Sequence, residues 1–493
     1  MPLNKIYKPS LLILGLLVIA LSLSAWSVGD YYLGNPVYTL GARNLAMGNT
    51  GVYDTFSPMT FTFNPANVTM QNSQIGVSAA ALFTRNEDSR SFPLYNSFDA
   101  FIDDATYSSN INMFDDYGIA GFGKYAYGKY TFGLGLHYLP VVDFQGIYYE
   151  EVRNNRNSDN DGYPEIIAIN EIDNTGAINA LGFTLGGGID LGKDRNINLG
   201  ITLNALSGDS EMNKSIKWSN WAMQQSINNN TLRRNVLPDS LYTNKSDYSG
   251  MQIKIGVSHR LNSRWGFGLS YTLKSEFDRD SSIRIAYGPD TTMAIPATSV
   301  NLPTLVTTSE VKDKYILPSR LRAGFNFQPR NIMRTHFNAE IEYVTWSDVS
   351  SFFDDSWDIH LGVEHQVTNK IPLRLGFQSI TEWMAVPDYA NLSEAGLPAL
   401  EATKIITPSI TAGSSVVLRK NLVLDFGLSF SWREYQALDL FRDSYYNDKL
   451  HSGLTSYLVW PNSYIYPTDR GWNNADKIRE SFTQISTGLT WNW

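Results

Sequence analysis

Residues 422–433 read LVLDFGLSFSWR, and this stretch decides the fold class of the chain. Its odd-numbered positions are mostly small or polar, with Asp425, Ser429 and Arg433 among them. Its even-numbered positions are all apolar: Leu422, Leu424, Phe426, Leu428, Phe430 and Trp432. Because side chains alternate between the two faces of a β-strand, this period of two residues predicts a strand with one wholly apolar face.

The same alternation recurs in many other segments, of which residues 265–274 (WGFGLSYTLK) are equally regular. A strand tilted across a bilayer needs about 9 to 11 residues, and many of these segments have that length and end on Tyr or Trp. We therefore predict an all-β fold, a transmembrane antiparallel β-barrel of about fourteen strands whose apolar faces meet lipid. The predicted strands are 74–84, 117–127, 130–139, 181–191, 197–205, 251–261, 265–274, 320–327, 335–346, 357–367, 371–380, 410–418, 422–433 and 482–493.

The connections between these strands fall into two classes that alternate along the chain. Short turns are predicted near residues 128, 194, 263, 331, 369 and 420. Long polar segments are predicted at 85–116, 140–180, 206–250, 275–319, 347–356, 381–409 and 434–481. A transmembrane barrel with an even number of strands has short turns on the periplasmic side and long loops outside, so this alternation favours a membrane barrel over a soluble β-protein.

Composition and the amino-terminal residues indicate the compartment. The 28 Tyr and 12 Trp suit a membrane interface, and the net charge of −9 argues against nucleic acid as a partner. Lys5 and Lys8 precede an apolar run at 11–23, so residues 1–25 are predicted to be a secretory signal peptide, with an uncleaved membrane anchor as the alternative. An exported chain rich in amphipathic strands is expected in the bacterial outer membrane.

Residues 26–73 do not alternate. They contain GARNLAMGNTGVYD at 41–54 and FTFNPANVTM at 61–70, which are rich in Gly, Asn and Pro and predict turns and short helices. We therefore expect a separate amino-terminal segment at 26–73, followed by the barrel with long extracellular loops at 74–493.

Four charged residues lie on the predicted inward faces of two neighbouring strands. A turn centred near Asn331 would put Arg322 opposite Glu340 and Arg320 opposite Glu342, a luminal ladder of opposite charges. Such a ladder could support the barrel wall, or it could contribute to gating or selectivity.

The chain resembles the FadL/TodX family of outer-membrane transporters of long-chain fatty acids and aromatic hydrocarbons. The resemblance extends over nearly the whole mature length. The motifs that carry it are Gly41-Ala42-Arg43 with Ala46-Met47-Gly48, Asn64-Pro65-Ala66, Leu317-Pro318 before the strand at 320–327, and AEIEYVTW at 339–346. The resemblance implies a fourteen-stranded barrel closed by a hatch at 26–73, and passive uptake of hydrophobic small molecules with lateral release into the membrane.

The resemblance also implies a lateral gate where an early strand kinks. The matching residues here are Gly133, Gly135 and Pro140, since Gly weakens a strand and Pro removes a hydrogen-bond donor. Packing of the two glycines against the hatch is the alternative. Candidate substrate-pocket residues follow the expected kink, although they could equally form a loop core: Phe144, Ile147, Tyr148 and Tyr149.

Two further features, the inward histidines and a short acidic loop, bear on catalysis and on metal binding. His137, His336 and His360 face inward but belong to no nucleophile motif, so we expect neither an enzyme nor a cofactor. Asn157, Asp159, Asp161 and Gly162 match the start of a calcium loop, but Ala168 replaces the required Glu at its twelfth position, which favours a solvated loop and no metal. The long polar loops leave a secretion-system cargo shuttle or a surface adhesin as the alternative function.

Expected partners are a hydrophobic ligand, outer-membrane lipid and lipopolysaccharide. The last predicted strand ends on Trp491 and Trp493, and this aromatic end is similar to the signal that the barrel-assembly machinery reads, or it serves as an interfacial anchor. We expect the protein to be a monomer.

Overall fold

The structure is a computed structural model, and it describes residues 34–95, 98, 100–153, 166–220, 239–288, 305–330, 334–368, 371–392, 398–437, 440–441 and 476–493. The predicted signal peptide (1–25) and the calcium-loop resemblance at 157–162 lie outside these residues. The described strands are β1 (Asn35–Pro36), β2 (Ile75–Tyr95), β3 (Phe101–Tyr127), β4 (Tyr130–Asp143), β5 (Gly146–Arg153), β6 (Ile166–Gly192), β7 (Arg195–Trp218), β8 (Asp239–Arg260), β9 (Trp265–Thr272), β10 (Ser275–Gly288), β11 (Leu305–Leu317), β12 (Arg320–Phe327), β13 (His336–Val344), β14 (Ser356–Thr368), β15 (Ile371–Leu392), β16 (Pro398–Arg419), β17 (Leu422–Ala437) and β18 (Asp476–Asn492).

The described helices are short. They are α1 (Ala42–Ala46), α2 (Thr60–Phe63) and two 3-10 turns, Pro65–Val68 and Trp346–Asp348. Within the described part of the chain, no helix is long and apolar enough to span a membrane.

The strands from β2 to β18 form one antiparallel sheet that closes on itself, because β18 pairs with β2. Three of the barrel strands are interrupted, so that β4 with β5, β9 with β10, and β11 with β12 each make one strand of the wall. The wall therefore has fourteen strands, which confirms the predicted fold class.

The apolar face of each strand points outward, as β17 illustrates. Leu428 and Phe430 are 45% and 47% exposed, whereas Ser429 between them is fully buried on the inner side. An outward apolar row beside a polar lumen is the reverse of a soluble sandwich, and it is the surface that a barrel presents to acyl chains.

The strands extend far beyond the predicted ends. The expectation that 206–250 forms one long polar loop is wrong, because β7 continues to Trp218 and β8 begins at Asp239. The same correction holds for 85–116, where β2 and β3 pair from Ile75 to Tyr95. Above the apolar belt polar side chains occupy both faces of the strands, so the alternation that identified them disappears from the sequence.

Residues 34–74 pack inside the barrel. Helix α1 contacts β15, β16, β17 and β18, while the 3-10 turn Pro65–Val68 contacts β3, β4, β6, β7 and β8. A small apolar core joins this segment, which we call the hatch, to the inner wall; it includes Leu40, Leu45, Met59, Phe61 and Val68 of the hatch, with Leu82, Ala120 and Phe122 of the wall.

Candidate functional site

The hatch is held to the wall by a buried network of charges. The Arg43 guanidinium donates through Nε to Asp54 Oδ2 at 3.1 Å and contacts the Glu364 carboxylate on β14. Glu364 Oε2 also accepts from Arg374 Nε at 2.6 Å, and Arg374 Nη1 donates to Asp425 Oδ1 at 2.8 Å. All five side chains are buried. Breaking such a network leaves unpaired buried charge, so it fixes the hatch firmly.

The other motif residues of the hatch also attach it to the barrel wall. Gly48 has a φ of +67°, and a Cβ there would overlap the backbone carbonyls of Leu361 and Phe377, so only glycine fits. Asn64 Nδ2 donates to Val52 O at 2.7 Å and to Val257 O on β8 at 3.0 Å.

The same motif residues also define where α1 and the 3-10 turn Pro65–Val68 begin. Asn64 Oδ1 accepts from the Ala66 N–H at 3.1 Å and caps the turn that Pro65 begins. Gly41 O accepts from Leu45 N at 2.9 Å at the start of α1.

The four predicted ladder residues lie together, but in a different register. The expected pairing of Arg322 with Glu340 across the strands is wrong, because Arg322 lies opposite Glu342 and Gly324 lies opposite Glu340. The turn is centred one residue later than expected, which shifts the pairing by two. The two shorter ion pairs are therefore diagonal, with Arg322 Nε 2.7 Å from Glu340 Oε2 and Arg320 Nη1 3.7 Å from Glu342 Oε1, while Arg322 Nη1 lies 3.9 Å from Glu342 Oε2 directly opposite.

This ladder also holds the hatch. Glu340 Oε1 accepts from the backbone N–H groups of Gly51 at 2.7 Å and Val52 at 2.9 Å, and Arg322 donates to Asn49 O. The charges thus satisfy backbone groups of the hatch that would otherwise be buried without partners.

Above the hatch lies a cavity of about 210 Å³, which we call the luminal cavity. Its floor is the hatch segment 36–41 with Met59 and Phe63, and its sides come from the inner faces of the wall. Apolar side chains dominate the lining, but Arg320, Glu342 and Lys254 also reach it. A mainly apolar cavity with a few charged groups is the usual form of a small-molecule site.

Lys254 on β8 differs from the other charges of this cavity. Its Nζ donates to Thr62 O at 2.5 Å, and among the described residues no carboxylate lies within ion-pair distance of it. The motifs and the strand pattern did not single out Lys254 as a site residue. A lone inward lysine between apolar outward positions in 251–261 was the available signal.

The wall is broken beside the luminal cavity. The backbone ladder between β3 and β4 ends at the pair Ile119 and Tyr138, although β3 continues to Phe101. Above that point side chains make the contacts instead, for example Asn112 Nδ2 to Ile147 O at 2.9 Å. We call this break the β3–β4 gap.

The hatch takes over the freed edge of β4. Strand β1 pairs with it, Pro36 opposite Val142, and Val37 N donates to Val141 O at 2.9 Å. A bulge between Pro140 and Val142 turns β4 away from β3. The four consecutive residues 139–142 all line the luminal cavity, whereas an intact strand would offer alternate residues, so the cavity reaches the strand edge itself.

Of the residues suggested as a gate, only Pro140 lies at this break. A Cβ on Gly133 would come 2.9 Å from Val68 Cγ1, and one on Gly135 would come 2.9 Å from Phe61 Cε2. Both glycines therefore give the hatch room to pack, which is the alternative stated for them.

The four suggested pocket residues do not line the luminal cavity. Phe144 is buried in an aromatic cluster next to it, stacked on Tyr248 with ring centroids 5.4 Å apart. Tyr148 is fully buried higher up against Phe441, Ile147 is half-buried on the same segment, and Tyr149 is exposed. The period of two could not reveal the kink that carries these residues past the cavity.

A closed fourteen-stranded barrel with a filled lumen defines a plugged outer-membrane β-barrel. The fold is more particular than that, since solved structures of hydrophobic-compound channels share it. The CymD monoaromatic hydrocarbon channel is 12% identical with a TM-score of 0.53, over 93% of this chain and 99% of that one. The Pseudomonas putida toluene transporter TodX is 12% identical with a TM-score of 0.53, over 94% and 100%.

A Pseudomonas aeruginosa FadL homologue is 13% identical with a TM-score of 0.51, over 93% and 99%. At these identities the likeness establishes the fold, and it confirms the architecture that the resemblance to the FadL/TodX family implies. No protein-family model and no curated protein matches the chain.

Proposed function

We propose that this protein is an outer-membrane channel that admits small hydrophobic compounds by passive diffusion and releases them sideways into the membrane. The observation that carries the proposal is the β3–β4 gap, where the backbone ladder between the two wall strands ends beside the luminal cavity. Backbone groups at membrane depth must be satisfied, and such a break is tolerated only where protein or a cavity lines it. Its presence beside the luminal cavity therefore favours a route through the wall.

The driving force of this route is the removal of apolar surface from water. A compound that is poorly soluble crosses the polar surface layer more readily when an apolar cavity shelters it, and it then moves on into the acyl chains. Ile111 and Met113 lie exposed on β3 along the gap, so the exit opens among outward apolar residues. No catalytic group takes part in this mechanism.

The substrate class follows from the same cavity. The structural neighbours are named for toluene and monoaromatic hydrocarbons, which are neutral. Lys254 adds a cation that could hold the carboxylate of a fatty acid, so both long-chain acids and hydrocarbons are candidate substrates.

A disulfide between two introduced cysteines can close the gap, and since the chain contains no cysteine of its own, the introduced pair has no competing partner. A Cβ on Gly118 would lie against the Leu139 side chain, so we expect cysteines at Gly118→Cys and Leu139→Cys to form a disulfide across the gap. Uptake of a hydrophobic substrate by cells that carry the oxidised variant should fall about tenfold and recover on reduction.

The matched control joins the same two strands where their ladder is intact. Gly121 and Leu136 face each other there, and a disulfide between Gly121→Cys and Leu136→Cys should leave uptake unchanged. Full uptake with the gap locked would exclude lateral release. If the wild-type chain takes up nothing but still binds a secreted protein or a host surface, the cargo-shuttle or adhesin function would replace the channel.

A further inference from the structure

The wall has a second break at the top of the β13–β14 hairpin, where two neighbouring strands are shorter than the strands on either side. The ladder of β12 and β13 ends at the pair Arg320 and Val344, and that of β14 and β15 ends at Ile359 and Ser379. Residues 345–355 connect the two middle strands directly at this height. The barrel wall is therefore much lower here than on either side.

Among the described residues, the strands that flank this low section continue upward without a backbone ladder along the edge that faces it. Strand β11 pairs with β10 along its length, and within the described residues no strand pairs with its other edge. Above Ser379, β15 pairs with β16 on one side, while on the other a side chain substitutes for the ladder, since Asp358 Oδ1 accepts from Thr381 N at 2.8 Å. We call the section of the wall between these edges, above 345–355, where side chains replace the backbone ladder, the side window.

The luminal cavity extends to both edges of the side window. Residues 315–318 of the β11–β12 strand line it consecutively, and so do Glu382 and Trp383 of β15. Where the wall is intact, alternate residues line the cavity, such as Ser270 and Thr272 of β9. Consecutive lining means that the cavity meets the edge of a strand and not its face.

A single apolar cluster fills the side window. Trp346 and Val349 of the connection line the cavity and pack with Trp383, on which Phe353 stacks with ring centroids 6.2 Å apart. Phe352, next to Phe353, is 51% exposed. The connection thus runs from the cavity to the exterior within a few residues.

The side window opens at the level of the membrane interface. Tyr271, Leu321, Tyr343 and Trp357 lie side by side across four strands just below it. Trp357 is 60% exposed, and its ring centroid is 4.7 Å from that of Tyr343. Tyr and Trp concentrate where acyl chains meet head groups, so this row marks the outer interface.

We propose that the side window is an entrance, through which hydrophobic compounds already dissolved in the outer leaflet reach the luminal cavity. This inference rests on the proposed channel function and adds the source of the substrate. Apolar compounds accumulate in lipid by partition, so an opening at the interface meets them at a higher concentration than an opening to water does. The β3–β4 gap, bordered by Ile111 and Met113, then returns them to the acyl region.

The test uses a single cysteine in the full-length chain, reconstituted in liposomes and also expressed in cells. In Val349→Cys, a maleimide carried on a lipid-soluble pyrene and supplied in the membrane should react, and the adduct should lower uptake of a hydrophobic substrate about tenfold. The matched control is Val306→Cys on β11, 47% exposed and outside the cavity lining. It should react with a water-soluble maleimide without loss of uptake.

Heat-modifiability on gels verifies that each variant is folded. The side entrance is refuted if folded Val349→Cys resists the membrane-supplied reagent, or if its adduct leaves uptake intact while the disulfide across the β3–β4 gap still blocks it. In that case the channel function survives and substrate enters from the aqueous side. If the unmodified chain has no uptake, both the channel function and the entrance are refuted.

Discussion

The lower lumen and the upper wall of this barrel solve opposite problems. In the lower lumen, wall side chains make hydrogen bonds with backbone groups of the hatch, and the network of Arg43, Glu364 and Arg374 holds the hatch in place. Above, backbone ladders stop at the β3–β4 gap and at the side window, and the luminal cavity reaches both. The contrast teaches that a route along the barrel axis would break many buried polar contacts, whereas a sideways route through the wall would break only a few.

The largest expected effect is loss of the carboxylate at the centre of the lower network. Glu364→Ala leaves the buried guanidinium groups of Arg43 and Arg374 without their shared partner, so the free energy of unfolding should fall by about 3–5 kcal/mol. Urea titration followed by heat-modifiability measures it. The control Lys312→Ala removes an exposed ion pair with Asp280, which solvent screens, and should leave the free energy of unfolding nearly unchanged. Equal losses of unfolding free energy in the two variants would contradict a stabilising role of the lower network.

A substitution in the luminal cavity should change the substrate selectivity more than the free energy of unfolding. Lys254→Met keeps the length of the side chain but removes its charge, so uptake of a long-chain carboxylate should weaken by about 1.5–3 kcal/mol of binding free energy, with little change for toluene. Competition between the two substrates in whole cells measures it. A parallel fall for both would show that Lys254 positions the hatch through Thr62 and does not recognise a charge.

Close approach between hatch and wall predicts an effect of intermediate size. A Cβ on Gly376 would overlap Gly48 N and Met47 C, so Gly376→Ala should lower the free energy of unfolding by about 1–3 kcal/mol and expose the hatch to protease. At Gly187 nothing lies within 4 Å of a new Cβ, and Gly187→Ala should stabilise its strand by up to about 1 kcal/mol. The two substitutions should thus differ in sign.

The smallest effect is expected at the gap. Asn112→Ala removes the side-chain bond to Ile147 O, which is worth about 0.5–1.5 kcal/mol, and should leave the hatch undisturbed. Uptake should rise modestly because the gap opens more often. Slower uptake with normal folding would mean that Asn112 guides the substrate, and the comparison between a fixed lower lumen and a yielding upper wall would need revision.

Prediction from sequence succeeded where the membrane imposes a rule. Outward Leu428 and Phe430 alternate with inward Ser429 because lipid touches one face only, and the hatch was set apart because 26–73 lacks that period. The prediction from sequence was wrong above the apolar belt, where β7 continues to Trp218 through residues that were predicted to form a loop. The register of Arg322 was missed by two residues because the turn centre was placed one residue early.

The candidate site shows the same division. Arg43, Gly48 and Asn64 stood out by their motifs, but their roles as anchors depend on Glu364, Leu361 and Val257, which are remote in sequence. Pro140 suggested a kink, but the partner that replaces β3 there is β1 of the hatch.

By itself the sequence determined which face of each strand meets lipid and therefore that the chain closes into a barrel, since a period of two beside an apolar solvent leaves no other way to satisfy the backbone. Only the tertiary structure decided where the wall opens. A ladder ends when a strand leaves its neighbour, and that depends on what the hatch offers to the freed edge across the lumen, a contact that no local pattern records.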